Sequence, residues 1–413
     1  MLSPGLRGMT AASHPLWLCG FRSFFLAAVL AAPLLIGLWI AFLASGLPLP
    51  AVPGGASVWH AHELLFGFAF AAVAGFALTS IPEFTRTAAF GRRPVRVLAG
   101  LWLLGRIGFW SSGAFGTAAL LLAAAAHLGF LAGLAWLLAP RLWRDPERKH
   151  LAFLWALAAL AACVIGFHAA AIAGEHPARW LHATVGVLMM LIVVAMSRIS
   201  MRIVNGAIEE AGVIDAEYRA RPPRRNLAVF CIGLYTAVEL VAPGTRLTGW
   251  LALGAAAALC NLLNDWHIGR ALLRRWPLML YGVYALMAAG YAVVGLAQLL
   301  DAGALPAVSA GRHLLTVGAM GLNIYIVMCI AGRMHCGRPL DEHPWVPTGA
   351  MLIAAAALLR AGVAWPGADG GLLLAASGLL WGAAFALCAW HMAPLWLAPR
   401  ADGGTGCEGL IER

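Results

Sequence analysis

An all-α, polytopic membrane protein is the fold class this sequence predicts, with about 12 transmembrane helices in a single membrane domain over residues 1–413. Three observations carry that reading. The chain is 62% hydrophobic and only 11% charged, where a soluble chain is roughly a quarter charged, and its mean hydropathy is +0.82. Apolar stretches recur at the length a bilayer core demands, roughly 20 residues. Basic residues collect in alternate connections, which is a topology signal.

The spans follow in order. Residues 22–45 form the first, an apolar run too long for a signal peptide and followed by no small-residue cleavage site. Residues 58–80 open on VWHAHELLFGF. The next are 95–111, 115–139, 150–173 and 179–203, and then 226–242, 246–265, 277–300, 310–331, 346–365 and 371–396. Gly or Pro punctuates many of the short connections. The longest, 204–225, mixes Glu209, Glu210, Asp215 and Glu217 with arginines and reads as a solvated connector.

The net charge of +10 could suggest nucleic acid, but its distribution excludes that reading. Of 28 basic residues, 23 fall at the N-terminus, in the even-numbered connections and at the C-terminus. The opposite side carries only Arg179, Arg246 and Arg312. The positive-inside rule then puts both termini in the cytoplasm. None of the eight cysteines falls in an outer connection and no CxxC occurs, so no external disulfide is implied.

An internal repeat is visible. LLGRIGFW (103–110) resembles LLRAGVAW (358–365), and HATVGVLMMLIVVAM (182–196) resembles HLLTVGAMGLNIYIVM (313–328). The spacing suggests three four-helix units, 22–141, 150–270 and 277–400. The second helix of each unit then opens with histidine at one depth: His60 and His62, His182, and His313. His168 ends the fifth span at that same depth, with His176 in the connection beyond it.

Neutral imidazole is the commonest transition-metal ligand, and histidine within a membrane is costly without a partner. His60, His62, His168, His182 and His313 are therefore the candidate metal ligands. His60 and His62 cannot both face one ion from a regular helix, because residues two apart point nearly opposite ways. Other histidines, His127, His150, His267, His335 and His343 among them, read as interfacial, and His391 as a packing residue. Glu63 has two readings. It is an acceptor or proton donor beside an imidazole, or a helix N-terminal carboxylate complementing the dipole. Arg106 and Arg360 sit at matching repeat positions. Each needs an anion, such as Glu63, Glu239 or a haem propionate, or snorkels to the interface.

Three stretches resemble the NnrS family of bacterial inner-membrane proteins. WHAHELLFGF resembles its WHxHEMxFGF, HLLTVGAMG with HCGR (335–338) resembles its HxLTVGxxG…HTGR, and APRADGGTG (398–406) resembles its PRxDGxxG. The resemblance implies haem b and copper, and a role in nitric oxide metabolism or nitrosative-stress resistance. It brings family motif positions onto His60, His62, Glu63, His313 and Arg338. The three-unit arrangement also resembles the catalytic subunit of haem–copper oxidases, with His62 and His313 as the haem pair and Arg106 and Arg360 toward its propionates. Copper then falls to His60, His168 and His182. The expected partners are the lipid bilayer and nitric oxide or a metal-bound ligand, with the electron donor unassigned. A reading of another class also stands: twelve helices with repeats suit a transporter or metal-delivery protein for copper or haem.

Overall fold

The computed structural model describes residues 14–213, 216–300, 305–404 and 406–407. Asp215 lies outside them. Among the described residues there are twelve long helices and no strand. The first six are α1 (Gly20–Ser45), α2 (Gly55–Phe84), α3 (Arg92–Trp110), α4 (Ser112–Arg144), α5 (Ala152–Ile172) and α6 (Ala178–Glu210). The second six are α7 (Pro222–Val241), α8 (Arg246–Leu263), α9 (Arg275–Leu300), α10 (Leu305–Met334), α11 (Trp345–Gly362) and α12 (Gly370–Leu397). Ten are long and apolar enough to cross a membrane. The other two, α3 and α7, carry Arg92, Arg93 and Arg96, and Arg224 and Arg225, in their first turns. The chain is a multi-pass membrane protein.

Two helices are irregular inside. In α2, α-helix over Gly55–His62 gives way to π-helix over Glu63–Ala69 and returns to α-helix over Phe70–Phe84. In α10, Leu305–His313 is α-helical, Leu314–Met320 is π-helical and Gly321–Met334 is α-helical. A π-turn inserts one residue, rotates everything beyond it, and recurs at functional sites.

The chain forms two compact units. One comprises residues 1–181, 327–346 and 382–413, and the other 182–326 and 347–381. In the first unit α1 packs on α2, α2 on α4, α3 on α4, and α4 on α5. Small residues let the backbones close in. A Cβ on Gly108 of α3 would come 2.8 Å from the Ala123 nitrogen of α4, and one on Gly75 would strike the Phe25 ring of α1 at 2.6 Å. In the second unit α9 packs on α8 and α10, and α7 on α8.

Two expectations change. α6 continues to Glu210 and stops where Gly212 turns left-handed (φ 61°), so the 204–225 connector is shorter than hydropathy indicates. What remains is not simply solvated. Tyr218 is buried, its backbone is held by both ends of the Asn205 amide (2.9 and 3.1 Å), and its hydroxyl meets that of Ser200 at 3.0 Å. A pairing of cysteines is a further finding, at residues outside the outer connections. Cys19, just before α1, pairs with Cys407 in a disulfide, Cα atoms 5.6 Å apart. The tail is held further where His335 Nδ1 donates to the Cys407 carbonyl (2.7 Å) and Arg22 donates to the Trp396 carbonyl (2.9 Å). Both ends of the helical array therefore meet within the first unit.

Candidate metal centre

His62 closes the first α-helical stretch of α2 and is wholly buried. Its ring stacks on Phe109 of α3, centroids 3.5 Å apart, with Phe66 and Phe167 at 4.9 and 5.1 Å. That apolar sleeve fixes the ring plane. Its Nδ1 lies 2.8 Å from Glu63 Oε1. Glu63 is buried as well, eight residues into the helix, so the dipole reading fails and it is the hydrogen-bond partner of an imidazole. A carboxylate on one ring nitrogen sets the tautomer and leaves the other nitrogen for a metal. His62 Nε2, buried and without a hydrogen bond, is that free nitrogen.

Two further imidazoles converge on it. His127 comes from the middle of α4 and His168 from near the end of α5, both buried. His127 Nδ1 and His168 Nε2 are 3.2 Å apart. One ligand nitrogen from each of the three residues lies within 4.8 Å of the others. Two nitrogens on one tetrahedral ion at ~2.0 Å stand about 3.3 Å apart, so the His127–His168 pair already has the spacing of two ligands.

Arg106 of α3 completes the surroundings. Its Nη2 contacts His127 Nε2, and its Nε lies 3.6 Å from Glu63 Oε2. Gly67, inside the π-segment, makes room for it, since a Cβ there would sit 2.7 Å from Arg106 Nη1. Arg106 is thus a buried partner of Glu63 and is not snorkelling. Above it, the Trp102 indole donates to the Gly67 carbonyl (2.9 Å) and ties α3 to the π-segment.

The remaining predicted residues lie elsewhere. His60 leaves α2 on another side and stacks on Trp39 of α1 at 4.4 Å, away from His62 as two-residue spacing requires. His182, His313, Arg312 and Arg360 belong to the second unit. There Arg312 pairs with Glu239 (2.7 Å), beside a cavity of about 20 Å³ also lined by His182, Tyr235 and Tyr291. His313 Nδ1 donates to the Ser309 carbonyl (2.7 Å), and Arg360 donates to the Ser309 hydroxyl (3.0 Å). Of five histidines proposed from sequence, the structure brings His62 and His168 together and adds His127, which had been read as interfacial. His127 lies in the middle of an apolar run, AAAAHLGF, and an imidazole at that depth is itself the signal of a site.

A sequence model of the family described as NnrS protein matches residues 15–400. The chain belongs to the NnrS family. Among curated proteins no sequence matches it. In this NnrS-family chain the WHAHELLFGF motif supplies His62, Glu63 and the π-segment, while His127 and His168 come from outside the three motifs that carry the resemblance.

Proposed function

We propose that this protein holds copper at His62, His127 and His168 and binds nitric oxide there, in nitric oxide metabolism or nitrosative-stress resistance. The observation that carries the reading is three buried imidazoles offering ligand nitrogens within 4.8 Å of one another. Imidazole suits copper, and three such donors leave a coordination position open. Copper bound there supplies that position and a one-electron couple. The protein's own residues do the rest. Glu63 orients the His62 ring and lies close enough to pass a proton, the role proposed for it from sequence. Arg106, paired with Glu63 and in contact with His127, would hold both groups in place beside the ion. The Phe66, Phe109 and Phe167 rings exclude water. The resemblance points to the bacterial inner membrane, and the distribution of arginines supports cytoplasmic termini, against which stands the Cys19–Cys407 disulfide at the chain ends.

Haem, the other cofactor that the resemblance implies, does not fit the cavities described within either unit. The larger has no histidine, cysteine or methionine in its lining, and the smaller encloses about 20 Å³. Arg106, expected near a propionate, is already engaged by Glu63 and His127. The optical spectrum of the purified protein decides whether the chain carries haem.

The test of function is a nitric oxide titration of copper-loaded protein followed by electron paramagnetic resonance. The cupric signal should change saturably with nitric oxide. An unchanged signal, with copper bound at the three histidines, refutes the nitric oxide role.

A further inference from the structure

The Cys19–Cys407 disulfide and the arginines around it point to different compartments. His335, just beyond α10, has its Nε2 3.4 Å from Glu83 Oε2 at the end of α2, while its Nδ1 holds the Cys407 carbonyl. One face of the first unit therefore carries the ends of α2 and α10 together with the disulfide. Arg86, Arg92 and Arg93 follow α2, and Arg333 and Arg338 flank His335. Positive charge so collected supports a cytoplasmic face. Disulfides in a reducing cytoplasm are usually transient, either catalytic or redox-sensing. A bond that opens and closes reconciles the two observations.

The bond clasps a segment that is otherwise held by hydrogen bonds. Beyond α12 the chain lies along the turn after α10. There the Ala401 N–H donates to the Cys336 carbonyl (3.0 Å), Arg400 Nη1 donates to the His335 carbonyl (3.3 Å), and His335 Nδ1 donates to the Cys407 carbonyl (2.7 Å). A segment held in this way opens locally at far lower cost than a packed helix. Cys19 and Cys407 are 1% and 6% exposed, so a reductant reaches the sulfurs as the segment lifts. Cys336, a buried free thiol, lies under the same segment.

We propose that Cys19 and Cys407 form a reversible redox latch, pinning the segment after α12 to the start of α1 when oxidised and releasing it when reduced. A thiolate of a protein dithiol attacks Cys407 Sγ, the bond to Cys19 breaks, and Cys19 leaves as a thiolate that takes up a proton. The second thiolate of the dithiol then displaces Cys407, which is protonated in turn. Two thiols form on this chain and one disulfide forms on the reductant. A disulfide oxidant runs the exchange backwards. Release takes the Cys407 carbonyl from His335, whose ring stays beside Glu83 at the end of α2, and parts Ala401 from Cys336.

The experiment uses cells making the full-length protein, quenched in acid, dissolved in detergent and alkylated with a maleimide mass tag. Unstressed cells should give eight tags per chain, and cells treated with diamide should give six. Removing diamide should restore eight. Cys19→Ser, with seven cysteines left, should give seven tags in both conditions. On purified wild-type protein, dithiothreitol should speed tryptic cleavage after Arg400 about tenfold, read by mass spectrometry of the released peptide. Six tags in unstressed cells would make the bond permanent and overturn the latch. Eight tags after diamide, or cleavage after Arg400 that dithiothreitol does not change, would overturn it as well.

Discussion

The two π-containing helices are built alike and used differently. In α2 the π-segment Glu63–Ala69 follows His62, and in α10 the π-segment Leu314–Met320 follows His313. Each has a glycine at its fifth residue, Gly67 or Gly318, and in each case the helix that follows next in the chain carries an arginine, Arg106 or Arg360. Around His62 the neighbours are Glu63, His127 and His168, and the outcome is a cluster of ligand nitrogens. The residue after His313 is Leu314. Its Nδ1 is taken by the helix's own Ser309 carbonyl, and the nearby charges close on themselves as Arg312–Glu239. The backbone device is shared, and the side chains supplied by neighbouring helices decide what it does.

Substitutions can break or sharpen that contrast. The largest expected effect is His127→Ala, which should lower copper from about one per chain to near zero, whereas His313→Ala should leave it unchanged. Metal analysis on purified variants checks this, and equal losses would erase the distinction between the two helices. Glu63→Gln should weaken copper affinity about 10- to 100-fold, measured by competition with a chelator, because the carboxylate that orients His62 is gone. Glu239→Gln acts only on the second unit. It leaves a mostly buried Arg312 without its carboxylate and should cost about 2 kcal/mol, discounted for the partial exposure of the arginine, with copper retained. A thermal unfolding scan in detergent reads that loss.

The smallest pair compares the two glycines. In Gly67→Ala the new methyl meets Arg106 Nη1 at 2.7 Å, so copper affinity should fall a few-fold, about 2- to 10-fold by the same competition assay. In Gly318→Ala it meets Ala357 Cβ at 3.2 Å, and the expected result is a stability loss of about 1 kcal/mol or less with copper unaffected.

The helices were legible because hydropathy is a property of the chain itself. All twelve spans fall close to the observed ones, and α6 runs past its apolar stretch because a helix can continue through SRISMRIVNGAIEE after hydropathy ends. The π-segments were not legible. ELLFGFA and LLTVGAM have no composition that ordinary α-helix forbids, and the extra residue is decided by what packs around it. Most of the site could be read: His62 and Glu63 from their motif, His168 from its depth, and Arg106 from its need for an anion. His127 was lost to an interfacial reading because nothing local in α4 says which helices face it. The Cys19–Cys407 pair, 388 residues apart, was equally beyond a reading of spacing.

The central claim is that three imidazoles from α2, α4 and α5 hold one metal. X-ray absorption at the copper edge of the loaded wild-type protein tests it most directly. The expected spectrum shows three imidazole nitrogens at about 2.0 Å, falling to two in His168→Ala. A site with sulfur ligands, or one whose imidazole count stays at three in copper-loaded His168→Ala, would contradict it.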